Sequence, residues 1–111
     1  MFFHIPLIEY GEAWALKDSE EVEYYYGDKR EDECPSDINF GFFDVICDLD
    51  STRGIFVGHD HINDYSIEYE GVRLTYGLKT GYGSYDNDGL RGGTLITLSQ
   101  SEFTVEQIFQ D

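Results

Sequence analysis

The chain has 111 residues, with 23 acidic side chains against seven basic ones and a formal charge of −16. So few cations cannot neutralise a nucleic-acid backbone or an anionic bilayer, so the charge argues against both as partners and favours cations, basic proteins or simple solubility. With 41% hydrophobic and 16% aromatic residues the chain can bury a real core, and its length is that of one domain, residues 1–111.

The first residues carry no basic leader and no long apolar run, so a soluble, cytoplasmic protein is expected. Residues 2–8 are apolar but broken by Pro6, which suits a short strand with His4 near its end. Residues 9–16, around Trp14, read as a helical turn. Residues 18–35 are dense in Asp and Glu around Tyr24-Tyr25-Tyr26 and show no clear period. They read as an acidic insertion, either a solvated excursion or a weak hairpin, with the tyrosines as a possible protein-binding patch.

After Pro35, Ser36-Asp37 can cap a helix, and Ile38, Phe42, Val45, Ile46 and Leu49 then fall on one helical face. This is the main helix expected. Gly54-Ile55-Phe56-Val57 is a short apolar run with the look of a buried strand. Residues 65–69, 72–76, 93–98 and 103–109 read as further strands, with Glu70-Gly71 turning between the first two. Residues 79–89 are too rich in glycine for a regular element and long enough for a functional loop. Together these elements predict an α+β fold, mostly antiparallel sheet with one main helix. Cys34 and Cys47 match no zinc or redox spacing, and nothing requires them to pair.

Gly58-His59-Asp60-His61 follows the apolar run directly. A neutral imidazole offers a nitrogen lone pair, and two histidines two residues apart after a strand can project ligands from one bend. Alone, Gly-His-x-His is a weak motif. Its surroundings are more specific. Phe56-Val57-Gly58-His59-Asp60-His61-Ile62-Asn63-Asp64-Tyr65 resembles the last metal-binding motif of the calcineurin-like metallophosphoesterases, in particular their purple-acid-phosphatase-like branch. Phe3-His4-Ile5-Pro6-Leu7-Ile8-Glu9-Tyr10 resembles the preceding histidine motif of that family. Asn39-Phe40-Gly41-Phe42-Phe43 looks like the start of the helix between the two motifs. Gly71-Val72-Arg73-Leu74-Thr75-Tyr76-Gly77 and Thr80-Gly81-Tyr82-Gly83 are similar to its closing strands and glycine loop, in the same order.

The resemblance implies the C-terminal half of an αββα sandwich. It implies His4 and His59 as ligands of one divalent metal and His61 as a ligand of the other, the metals being manganese, iron or zinc. A dinuclear site of that kind orients a phosphate ester, acidifies a bound water and stabilises phosphoryl charge. The earlier motifs of the family, Asp-x-His, Gly-Asp-x-x-Asp and Asn-His, have no counterpart in these residues. Three histidines divided over two metals are too few for catalysis, and no bridging carboxylate is present to fix the metal spacing. The expectation is therefore a phosphoesterase part that is inactive alone, completed by an N-terminal half or covered by self-association. The other reading is a non-catalytic acidic interaction protein that binds a basic partner, as an inhibitor or nucleic-acid mimic.

Overall fold

A computed structural model describes residues 1–110. Its elements are helix α1 (Glu9–Ala15), strand β1 (Val22–Tyr26), helix α2 (Phe42–Leu49), strands β2 (Gly54–Val57), β3 (Ser66–Tyr69) and β4 (Val72–Tyr76), a single 3₁₀ turn at Asp88–Leu90, and strands β5 (Gly92–Leu98) and β6 (Phe103–Phe109). Four strands form a sheet in the order β1-β3-β4-β2, and β5 and β6 pair separately. All pairings are antiparallel except β2 with β4. The class is α+β, as the sequence implies.

The β3–β4 hairpin closes through Glu70 and Gly71, both at positive φ (52° and 79°), the backbone handedness that matches the twist of a two-residue hairpin turn. Side chains then alternate by strand period. Ile55, Val57, Ile67, Leu74 and Tyr76 face the helices, where Tyr10, Ala13, Phe43 and Ile46 complete the core. On the opposite face stand Gly54, Phe56, Ser66, Arg73 and Thr75. Arg73 is buried there, donating from Nε to the Ser66 hydroxyl at 2.7 Å with its guanidinium 3.7 Å over the Tyr25 ring. The β5–β6 hairpin reaches this second face through Phe103, whose ring lies edge-on to Phe56 at 6.1 Å, and through Thr94, which accepts from the Leu78 amide. A Cβ on Gly54 would come 2.9 Å from the tip of the Phe103 ring, so the close approach of hairpin to sheet favours glycine there.

Three local expectations change. The first residues form no strand of their own. Phe2 makes one isolated parallel bridge to Phe56, and His4 adds its carbonyl to the Gly58 amide at 3.0 Å before Pro6 withdraws the chain. The acidic segment contributes a strand: β1 pairs with β3, bulging between Tyr24 and Tyr26. Finally, α2 starts at Phe42, not at Ser36-Asp37. Asn39 accepts from the Gly41 amide in a local turn, and Gly41 takes φ 77° at the helix start, where no side chain caps. Starting there, the helix turns Phe43 and Ile46 inward. Ile38, Phe42, Val45 and Leu49, expected on the buried face, are exposed, Leu49 at 70%. Phe40 at 83%, Leu98 at 78% and Phe2 at 70% are exposed as well. No helix is long and apolar enough to cross a membrane among the described residues.

Candidate functional site

The end of β2 and the loop that follows it bring two of the three histidines together. The Gly58 amide is bonded to the His4 carbonyl, and the His4 ring lies over Gly58, with Nδ1 3.4 Å from where a Cβ would stand. His59 takes φ 69°, a left-handed conformation costing a non-glycine residue about 1–2 kcal/mol. The turn is closed by the Asp60 amide donating to the Gly58 carbonyl at 2.8 Å. The result is an edge-to-face pair, His4 and His59, with ring centroids 5.2 Å apart.

His61 points elsewhere. Its ring stacks on Tyr85 at 4.3 Å and 14°, and its Nδ1 lies 2.9 Å from the Tyr85 carbonyl oxygen. The Tyr85 hydroxyl accepts from the His61 amide at 3.3 Å and donates to Glu31 at 3.0 Å. The other oxygen of Glu31 accepts from the Ile62 amide at 3.2 Å.

The carboxylates nearest the motif in sequence serve the scaffold. Asp60 is buried, accepting from the Tyr76 hydroxyl at 2.5 Å and the Cys34 amide at 3.3 Å. Burial first, and then this bond to a carboxylate, push the Tyr76 phenol well above its ordinary range. Asn63 accepts from the Arg30 and Glu31 amides at 2.7 and 3.0 Å and donates to the Glu31 carbonyl at 3.0 Å. Asp64 accepts from the Asp28 amide at 2.9 Å, from the Arg30 guanidinium and from Gln107 at 3.0 Å. The residues after β1 are thus strapped across the histidine loop. Glu33 continues the strap, accepting from the Tyr65 hydroxyl at 2.6 Å beside Lys29 at 3.1 Å.

Sequence reasoning identified the three histidines but not the parts of Glu31, Asn63, Asp64 and Tyr85. Asn63-Asp64 directly follows the motif, and Tyr85 lies in the glycine-rich loop already marked as functional, so both were within reach. Nothing local points to Glu31.

The sequence is similar to three proteins of Arabidopsis thaliana. It is 32% identical over 105 residues to probable inactive purple acid phosphatase 14, 35% over 88 residues to probable inactive purple acid phosphatase 29, and 31% over 84 residues to probable inactive purple acid phosphatase 28. The chain is purple-acid-phosphatase-like. The alignments take in 95%, 79% and 76% of it. They take in 25%, 21% and 19% of the relatives, so this phosphatase-like chain spans a quarter or less of their length. No family model matches the sequence, and no solved structure matches it.

The phosphatase family implies a metal centre. Among the described residues His4 and His59 stand as an adjacent pair, but no three His, Cys, Asp or Glu side chains are grouped to hold an ion. A catalytic zinc site takes three protein ligands, so the pair alone is short of one.

Proposed function

We propose that this chain is a metal-binding part of a phosphoesterase-derived domain, contributing His4 and His59 to one cation and His61 to a second, and that it does not hydrolyse phosphate esters by itself. The observation that carries this reading is the His4–His59 pair, two imidazoles brought to 5.2 Å at a strand end by a turn that holds His59 in a costly left-handed backbone. The names of the relatives, each called inactive, support the second half of the proposal.

Bound divalent cations would supply Lewis acidity toward a phosphoryl oxygen. The residues of this chain would supply orientation: the Gly58 amide fixes the backbone of His4, and the strap from Asp28 to Glu33 holds the loop of His59 and His61. The exposed apolar side chains, among them Phe2, Phe40 and Leu49, support association with a complementary N-terminal half, or failing that with a second copy.

Metal content of the purified protein, measured after incubation with manganese, iron or zinc, tests the reading. Wild type should retain metal that His4→Ala and His59→Ala lose, and hydrolysis of p-nitrophenyl phosphate should appear only with an N-terminal half present. Equal, negligible metal in all three proteins would overturn it. The charge of −16 favours a second reading, an acidic interaction protein that holds a basic partner, such as an inhibitor or nucleic-acid mimic. Partner capture that survives high salt unchanged would count against that electrostatic version.

A further inference from the structure

We infer that Tyr85 is a positioning residue for His61, holding the imidazole with its proton on Nδ1 and leaving Nε2 bare as the donor atom. Three observations converge on it. A backbone carbonyl can only accept, so the 2.9 Å approach of His61 Nδ1 to the Tyr85 carbonyl requires the proton to sit on Nδ1. The two rings are stacked at 4.3 Å and 14°, which fixes the imidazole plane. Tyr85 is itself anchored: its hydroxyl links the His61 amide and Glu31, whose second oxygen holds the Ile62 amide and whose backbone is clamped by Asn63.

The chain thus closes a ring of contacts from Tyr85 through Glu31 and Ile62 back to His61. Ser84, directly before Tyr85, has φ 61°, a conformation costly for a residue with a side chain. Such a departure persists only where the surroundings over-determine it, and here it aims the Tyr85 ring and carbonyl at the same imidazole. An imidazole whose one nitrogen donates to a carbonyl is set up to ligate through the other, and losing such a support lowers metal affinity about 10- to 100-fold. The importance of the arrangement rests on the proposed metal role of His61, but the arrangement itself is a property of the metal-free chain.

The test uses ¹⁵N-labelled full chain without metal, above the histidine titration range, with ring tautomers read from long-range ¹H–¹⁵N correlations. Wild-type His61 should show the Nδ1–H form. Tyr85→Phe, which loses only the hydroxyl anchor, should retain mostly this form; Tyr85→Ala keeps the backbone carbonyl but loses the stacked ring and the hydroxyl that seat it against the imidazole, so His61 should convert to a mixture rich in the Nε2–H form while the rest of the amide spectrum stays in place. Zinc added alone should shift Nε2 of His61 in wild type and bind Tyr85→Ala at least about tenfold more weakly. An Nε2–H tautomer in wild type, or an unchanged tautomer in Tyr85→Ala, overturns the inference. Zinc that leaves the histidine signals of wild type unmoved overturns the metal reading of the site and leaves the tautomer result to stand by itself.

Discussion

The hydroxyl of Tyr10 stands between two parallel strands, accepting the amide proton of Thr75 at 3.2 Å while it donates toward the Ile55 carbonyl at 3.0 Å. A side chain from α1 thus bonds into the edge between β2 and β4 at the level of the Phe56–Thr75 pair. Desolvation in this position raises the Tyr10 phenol far above its ordinary range, so it acts as a neutral bridge. Tyr10→Phe should cost about 1 kcal/mol in urea unfolding, because the buried bonds of its hydroxyl to Ile55 and Thr75 are lost. Tyr10→Ala adds a cavity and should cost about 3–5 kcal/mol.

Asn63 makes three of the bonds that tie the strap to the histidine loop. Asn63→Ala removes three hydrogen bonds to Arg30 and Glu31 together and should destabilise by about 2 kcal/mol or more. Trypsin provides a local readout, since Lys29 and Arg30 lie in the strap and should be cut faster in the variant than in wild type.

Two glycines at positive φ should respond differently to alanine. At Gly27, φ 90°, a Cβ would fall 2.2 Å from the Asp64 carbonyl oxygen, so backbone strain and collision add and Gly27→Ala should cost at least about 2 kcal/mol. At Gly71, φ 79°, nothing lies within 4 Å, and the penalty should be that of the conformation alone, about 1 kcal/mol. Urea midpoints of the two variants check the order.

Glu9 opens α1 from a buried position, and its carboxyl is held above its ordinary value of 4.5, first by desolvation and then by repulsion from Glu12 and Asp44, against a backbone hydrogen bond. The folded state keeps this proton to higher pH than the unfolded state does, so the charge weighs against folding as pH rises through that window. Glu9→Gln should therefore be more stable than wild type at neutral pH. The gain should vanish below pH 4.5, where both states hold the proton, and thermal unfolding at several pH values reads the difference.

Along α2, inward and outward residues should separate cleanly. Ile46→Ala should cost about 2–5 kcal/mol, while Val45→Gln and Leu49→Lys should stay within about 0.5 kcal/mol of wild type in the isolated chain. A large loss from Leu49→Lys would show that this face is covered in solution.

That contrast also marks where the sequence could be read and where it could not. β2 was legible as a short apolar run, in keeping with its burial, and β3 and β4 because the Glu70-Gly71 turn between them had its own chemistry. The helical period through Ile38, Val45 and Leu49 was real, but periodicity cannot say which apolar face meets this chain, and here Phe43 and Ile46 do. At the site, the motifs marked His4 and His59 without saying whether their rings meet, and the structure brings them to 5.2 Å. The turning of His61 onto Tyr85 was not legible, because it depends on Glu31, a residue joined to the site by tertiary bonds alone.

The strap bears on the order in which the molecule assembles. Its bonds with Asp28, Arg30 and Glu31 join residues 62–64 across long stretches of chain, and contacts of such sequence separation close at a cost in chain entropy that local turns do not carry. Held by side-chain bonds and not by a strand ladder, the strap is expected to open at a lower free energy than the sheet. Amide exchange near Ile62 should therefore follow the coming and going of the strap, with the histidine loop breathing while the strands beneath stay shut.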